Sequence, residues 1–291
     1  MEREQRNKLL RNFFRVIYCG VSGVVVLVLL WGCFVEPNLL LVRRCTVPIR
    51  DLPPELDNTR AVVIGDTHFG SSFLERWRME RILRLALQEK PDTIWLLGDY
   101  AAAGAACGPK TMSDGDFLRF FSGLKAPLGT YAVLGNHELW FGREKMCRLL
   151  ERSGVSMIEN KVVMLGGKLA LTGLPDRNAF PGNGGKPVPL QVRHDPLIIL
   201  SHKAGMMRNV KGKFSGLTVA ADTHGGQIRI PGKGAIGALL KGKKEDPPGL
   251  FRRGERTFFI TSGTGGHRLG FRLNCPPEIA VLTLKCGKAE I

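Results

Sequence analysis

Four of the six histidines in this 291-residue chain fall inside short polar motifs, and each motif follows an apolar run. The motifs read Gly65-Asp66-Thr67-His68, Gly98-Asp99-Tyr100, Gly135-Asn136-His137-Glu138, Ser201-His202 and Ala221-Asp222-Thr223-His224. Asp, Asn and His are donors for a divalent metal centre. Two ions ~3.5–4 Å apart would neutralise the oxygens of a phosphoester, orient it and lower the pKa of a bound water. Such a centre needs hard carboxylates, neutral imidazoles and one carboxylate able to bridge. A lone Gly-Asp-x-His reads as a loop turn, and Gly-Asn-His-Glu as a turn with a capping Asn. Five motifs in order, each behind a strand, are far more specific.

The elements that must position them are legible as apolar runs. Residues 61–64, 93–97, 131–134, 197–200 and 217–220 read as buried strands. Ligands in α/β sheets bind at the carboxyl ends of strands, so five strand ends are expected to converge on one crevice. Helices are expected over 73–88, with Trp77, Ile82, Leu85 and Ala86 on one apolar face, and over 114–121 and 143–152. Gly154 is placed to end the last of these. Beyond it, runs at 162–165, 169–172, 228–230, 257–261 and 279–284 read as strands of a second sheet. Residues 181–189 form a Gly/Pro-rich loop. Residues 231–249 form a loop with Lys233, Lys241, Lys243 and Lys244, a solvated surface or a collar for an anionic substrate or lipid headgroup.

Residues 16–35 carry no charge, and Arg3, Arg6, Lys8, Arg11 and Arg15 precede them. At ~1.5 Å rise per residue such a helix crosses the ~30 Å hydrocarbon core. A cleaved signal needs a small-residue cleavage site, and none is recognisable. The expected layout is a basic tail and single-pass anchor over 1–35, a linker and first extended segment over 36–59, and a catalytic domain over 60–291. The basic tail favours a cytoplasmic N-terminus with the domain outside. The seven cysteines, without CxxC spacing, exclude a Cys-rich zinc site and read as free thiols, which favour a reducing compartment. The net charge of +16 suits a membrane surface or an anionic substrate. No nucleic-acid motif accompanies it, so nucleic acid is not an expected partner.

The five motifs, ending in Asp222-Thr223-His224-Gly225-Gly226-Gln227, resemble the calcineurin-like metallophosphoesterase family from Glu36 onward. Glu36-Pro37 and the stretch from Arg272 through Asn274, Cys275 and Pro276 to Ile279 resemble its membrane-anchored bacterial branch. That branch includes phosphodiesterases and UDP-2,3-diacylglucosamine pyrophosphatases of lipid A synthesis. The resemblance implies a four-layer α/β/β/α sandwich at the bacterial inner membrane. It implies that Asp66, His68, Asp99 and His224 hold a first metal, with Asp99 bridging to a second held by Asn136, His202 and Asp222. It also implies that His137 contacts the phosphoryl oxygen or protonates the leaving group. The substrate would carry a phosphodiester or pyrophosphate and, with a membrane anchor, could be lipid-linked.

The chain departs from the family pattern at Ala221-Asp222, where the family has Gly-His. A third carboxylate favours Mn²⁺, Mg²⁺ or Fe²⁺ over Zn²⁺, with Mn²⁺ first. The competing expectation is a weakened second site. A second departure puts Lys203 and Ala204 after His202, where the family often has Pro and Asp. Lys203 is expected to be a solvated lysine.

Overall fold

The computed structural model describes residues 2–70, 75–102, 112–176, 190–191, 193–211, 214–242, 246–253, 256–266 and 270–287. The Gly/Pro-rich loop at 181–189, Lys243, Lys244, Cys107, His267 and the expected helix start at Phe73 lie outside them.

The chain begins with helix α1 (Glu2–Leu30), which runs on through a π turn (Trp31–Val35) and a 3-10 turn (Glu36–Asn38). Strand β1 (Leu41–Ile49) follows, then β2 (Arg60–Ile64), α2 (Glu75–Gln88), β3 (Thr93–Leu96), α3 (Asp114–Gly123) and β4 (Thr130–Ala132). Next come α4 (His137–Phe141), α5 (Arg143–Arg152), β5 (Ser156–Met157), β6 (Val162–Leu165), β7 (Leu169–Leu174) and β8 (Leu190–Gln191). The rest comprises β9 (Leu197–Lys203), β10 (Val210–Lys211), β11 (Gly216–Ala221), β12 (Arg229–Ile230), β13 (Gly234–Ala235), α6 (Ile236–Leu240), β14 (Gly249–Arg253), β15 (Arg256–Ile260) and β16 (Glu278–Cys286).

Two six-stranded mixed sheets carry the fold, ordered β1-β16-β2-β3-β4-β5 and β14-β15-β11-β9-β7-β6. Strand alternation explains their stacking. Ala61, Val63, Trp95 and Val133 of the first sheet face Leu171, Ile198, Leu200, Val219 and Phe259 of the second in one core. The alternate residues Val62, Ile64, Ile94, Leu96 and Ala132 face the other way, against Met79, Ile82 and Ala86 of α2, Phe117 and Phe121 of α3, and Leu149 and Leu150 of α5. On the far side of the second sheet, Ile199 and Phe258 pack on Met206, Val210 and Phe214. The chain is therefore layered, with buried aliphatic faces on both sides of each central strand.

Four expectations are corrected. Residues 231–249 are not loop throughout, since β13 and α6 lie within them. Residues 279–284 belong to the first sheet rather than the second: β16 runs parallel to β1 and antiparallel to β2. Its run is almost wholly buried, and an apolar run buried on both faces carries no mark of which sheet it joins. Residues 228–230 form no strand of the second sheet. Arg229 and Ile230 pair with Ala235 and Gly234 in a separate hairpin, and Ile228 makes a lone parallel bridge to Leu273. Finally, Trp77 is not on the buried face of α2. It is 47% exposed, with the Arg81 guanidinium 5.1 Å from its ring centroid, while Met79, Ile82 and Ala86 are buried. An i,i+4 cation–π pair beside the groove lined by Pro37 and Asn38 keeps the indole outward.

The register also fixes where α1 meets the domain. Leu41 pairs with Glu278, and Ala280 pairs with Val63. The N-terminal end of β1 therefore lies at the sheet edge from which Gly65 to His68 leave β2. α1 itself is the one helix, among the described residues, long and apolar enough to cross a membrane, and 6% of its most apolar window is buried.

Candidate metal centre

The motif residues come from strand ends of both sheets. Asp66 and His68 leave β2, Asp99 leaves β3, and Asn136 and His137 lie where the chain turns from β4 into α4. His202 lies within β9, and Asp222 and His224 follow β11. The turns are abrupt. Asp66, His68, Asp99, Asp222 and His224 all have positive φ, between 43° and 71°. Left-handed backbone at a non-glycine residue costs on the order of 1–3 kcal/mol and persists only where surrounding contacts impose it.

Glu138 supplies such a contact at Asp99. Its carboxylate is fully buried and accepts the backbone N–H groups of Asp99 (2.9 Å), Tyr100 (2.8 Å) and Gly135 (2.7 Å). One side chain thus ties the loop after β3 to the loop after β4. Gly135 permits the approach, since a Cβ there would stand 2.1 Å from Asp99 Oδ1.

Asp99 is the hub. Its Oδ2 lies 3.3 Å from His202 Nε2, 3.6 Å from His68 Nε2 and 4.0 Å from His137 Nε2. Its Oδ1 accepts the backbone N–H of His137 at 2.8 Å. His68 Nε2 and His224 Nε2 face each other at 3.1 Å. His202 Nδ1 donates to the Leu97 carbonyl at 2.8 Å, so a neutral ring directs its Nε2 lone pair outward. That nitrogen lies 3.3 Å from both Asp99 Oδ2 and Asp222 Oδ1. A lone pair set against two carboxylate oxygens calls for a proton or a metal cation between them.

Three donor groups have ligand atoms within 4.8 Å of one another: Asp66 with His68 and His224, Asp66 with Asp99 and His202, and His68 with Asp99 and His137. The donor set fits a divalent metal. Asp222 joins none of these groups and lies at the rim, its side chain 32% exposed. Asn136 is the residue before α4, next to the Gly135 that presses on Asp99. His137 stacks edge-on against His68, 4.5 Å between centroids, with its side chain 12% exposed at the mouth.

Burial of Asp66 and the crowding of carboxylates around His202 both favour protonation within the centre. Burial, with the charges of Asp99 and Asp222, pushes the Asp66 carboxyl up to about 8. Burial opposes charge on His202, yet Asp99, Asp222 and Asp66 raise its pKa well above the usual imidazole value. Burial would also raise Asp99, but His202, His68 and His137 hold it below the usual carboxylate range.

A model of the calcineurin-like phosphoesterase family matches residues 59–214. The chain belongs to this family. An uncharacterized metallophosphoesterase of Aquifex aeolicus is 27% identical over 88% of this chain and 95% of its own length. Phosphodiesterase YaeI of Escherichia coli is 29% identical over 77% of this chain and 82% of its own. The UDP-2,3-diacylglucosamine pyrophosphatase LpxG of Chlamydia muridarum is 24% identical over 90% of this chain and 94% of its own. As a calcineurin-like phosphoesterase the protein is a metal-dependent phosphoester hydrolase.

Residues outside the sequence-expected set also shape this phosphoesterase centre. Glu138 stands within its motif, yet the sequence alone gives it no role. Lys203 is not a solvated lysine. Its ammonium lies 2.9 Å from Asp176 Oδ2 and 3.8 Å from Asp222 Oδ1, with its side chain 27% exposed. Asp176 is 1% exposed, just past β7, and a Leu-Pro-Asp sequence after an apolar run was its only signal. The desolvated carboxylate draws the lysine inward, which leaves the Lys203 ammonium beside Asp222 as well.

Proposed function

We propose that Asp66, His68, Asp99 and His224 hold one divalent cation, and that Asp99, Asn136, His202 and Asp222 hold a second. In this reading the protein hydrolyses a phosphodiester or pyrophosphate bond of a membrane-associated, anionic substrate. The observation that carries it is the position of Asp99 Oδ2, between His68 Nε2 at 3.6 Å and His202 Nε2 at 3.3 Å. When bound, the two ions neutralise the phosphoryl oxygens and acidify the attacking water. His137, held at the mouth by its backbone bond to Asp99, contacts the phosphoryl oxygen or protonates the leaving group. Asp66, Asp99 and Asp222 give a hard, carboxylate-rich set that favours Mn²⁺, Mg²⁺ or Fe²⁺ over Zn²⁺.

The apolar run at 16–35 supports a single membrane pass, and the likeness to LpxG supports a lipid-linked nucleotide such as UDP-2,3-diacylglucosamine. A nucleotide substrate requires the domain to face the cytoplasm. A second reading, a phosphodiesterase of broad specificity, is favoured by the likeness to YaeI. A third, a catalytically weakened metal-binding relative, is favoured by the Lys203 contact with Asp222. Detergent-solubilised full-length protein with Mn²⁺ and UDP-2,3-diacylglucosamine separates them. Release of UMP by wild type and not by Asp99→Ala supports the pyrophosphatase. Cleavage of a soluble aryl diester without UMP favours the broad enzyme, and no turnover of either favours the weakened relative.

A further inference from the structure

The apolar helix is tied to the catalytic domain by direct contacts. Gly32 is buried: a Cβ there would stand 2.3 Å from the Phe271 ring, and its carbonyl accepts the Arg272 N–H at 2.9 Å. Trp31 Nε1 donates to Glu36 Oε2 at 2.9 Å. Gly32 lies three residues inside the apolar run that ends at Val35, ~4.5 Å along the helix. A helix that crosses a bilayer through this run therefore sets residues 271–273 at the hydrocarbon boundary.

Residues 227–242 are fastened to that same segment. Leu273 N–H donates to the Gln227 carbonyl and Arg229 N–H to the Leu273 carbonyl, both at 2.9 Å. The Gln227 side-chain amide donates to the Phe271 carbonyl at 2.9 Å. The β12–β13 hairpin and α6 then project Ile230 (38% exposed), Leu239 (43%) and Leu240 (82%) into solvent. The exposed Lys233 and Lys241 flank them. Exposed aliphatic chains between ammonium groups suit a membrane interface, with the chains at the acyl boundary and the charges at lipid phosphates. The segment also starts at the metal centre, since Arg229 Nη1 donates to the carbonyl of Gly225, next to His224, at 2.8 Å.

We infer that residues 228–242 dock on the anionic bilayer surface in which α1 is embedded. Ile230, Leu239 and Leu240 enter the boundary between headgroups and acyl chains, and substrate reaches the metal centre from that surface. This rests on the reading of α1 as a membrane span. The docked segment sits on the membrane side of His224, and β12, β13 and α6 form its frame.

The test places the photo-crosslinker p-benzoylphenylalanine at Leu240, Val25 or Met164 of the full-length protein. The protein is reconstituted in vesicles of phosphatidylcholine and phosphatidylglycerol. Val25 lies in the apolar run. Met164 is exposed on β6, whose turn packs on Leu56 at the opposite edge of the sheets. Mass spectrometry is expected to find phospholipid adducts at Leu240 and Val25 several-fold above Met164, and the Leu240 yield should fall when phosphatidylglycerol is left out. Labelling at Val25 with Leu240 no better than Met164 overturns the docking and leaves the span standing. Absence of adducts at Val25 removes the span and the docking together. Protein-only adducts at Leu240 overturn the docking by assigning the patch another occupant. A Leu239→Asp, Leu240→Asp variant should keep its hydrolysis of a soluble aryl diester but lose most turnover of vesicle-embedded UDP-2,3-diacylglucosamine. An equal effect on both overturns the route of approach.

Discussion

Glu36, at the end of the apolar helix, accepts the backbone N–H of Cys275 at 2.5 Å through Oε1. The Cys275 thiol in turn donates to the carbonyl of His224 at 3.5 Å. Two hydrogen bonds thus connect the helix exit to a candidate metal ligand. Glu36 is 4% exposed, so removing its carboxylate leaves a buried donor without its acceptor. Glu36→Ala should cost about 1–3 kcal/mol, read as a lower melting temperature of the full chain in detergent. Glu36→Gln keeps an acceptor for Cys275 and should lose less. Equal losses would mean that the Cys275 contact contributes nothing.

Glu138 holds three backbone donors from two loops, so its loss should be felt at Asp99 before it is felt globally. Glu138→Ala should weaken metal affinity at least tenfold, about 1.4 kcal/mol, measured by calorimetric Mn²⁺ titration. Circular dichroism should still report a folded chain.

Asp66 and His202 both have pKa values raised by the fold, Asp66 to about 8 and His202 well above its usual value. The folded, metal-free protein therefore holds protons that the unfolded chain releases at lower pH. Stability falls with pH wherever the folded state binds more protons. The metal-free protein should lose melting temperature as pH rises from 6 to 8, and Mn²⁺ should reverse the trend. Metal binding must expel the same protons, so Mn²⁺ affinity should rise across that interval. Calorimetry in buffers of different ionisation enthalpy should detect proton release.

The ion pair of Lys203 with Asp176 carries a separate expectation. Lys203→Met leaves the Asp176 carboxylate buried without its ammonium and should cost about 1–3 kcal/mol. Adding Asp176→Asn should recover part of the loss, and a double-mutant cycle by thermal melting reads the coupling. Lys203→Met should also strengthen Mn²⁺ binding, because an ammonium 3.8 Å from Asp222 Oδ1 repels a cation there.

Much of this centre was legible because strand ends concentrate polar side chains where apolar runs stop. Asp66, Asp99, His202 and Asp222 announce themselves that way. The parts that were not legible depend on contacts between segments far apart in sequence. The buried run at 279–284 fits either sheet until its register with Val63 and Arg43 is known. Lys203 reads as a solvated cation until Asp176, 27 positions earlier in the chain, is seen buried beside it. Trp77 satisfies the helical period, yet Arg81 draws it outward. In the sequence, Glu36-Pro37 and the Arg272–Ile279 stretch stand as two separate features. Only the fold puts Glu36 against Cys275.

The most direct test titrates Mn²⁺ into metal-stripped full-length protein while following hydrolysis of bis(4-nitrophenyl) phosphate, with Asp99→Ala alongside. Wild type should show no hydrolysis without metal and full hydrolysis once two ions are bound per chain, and Asp99→Ala should show neither tight binding nor turnover. Turnover by the stripped protein, or wild-type rates in Asp99→Ala, would contradict a metal centre organised around Asp99.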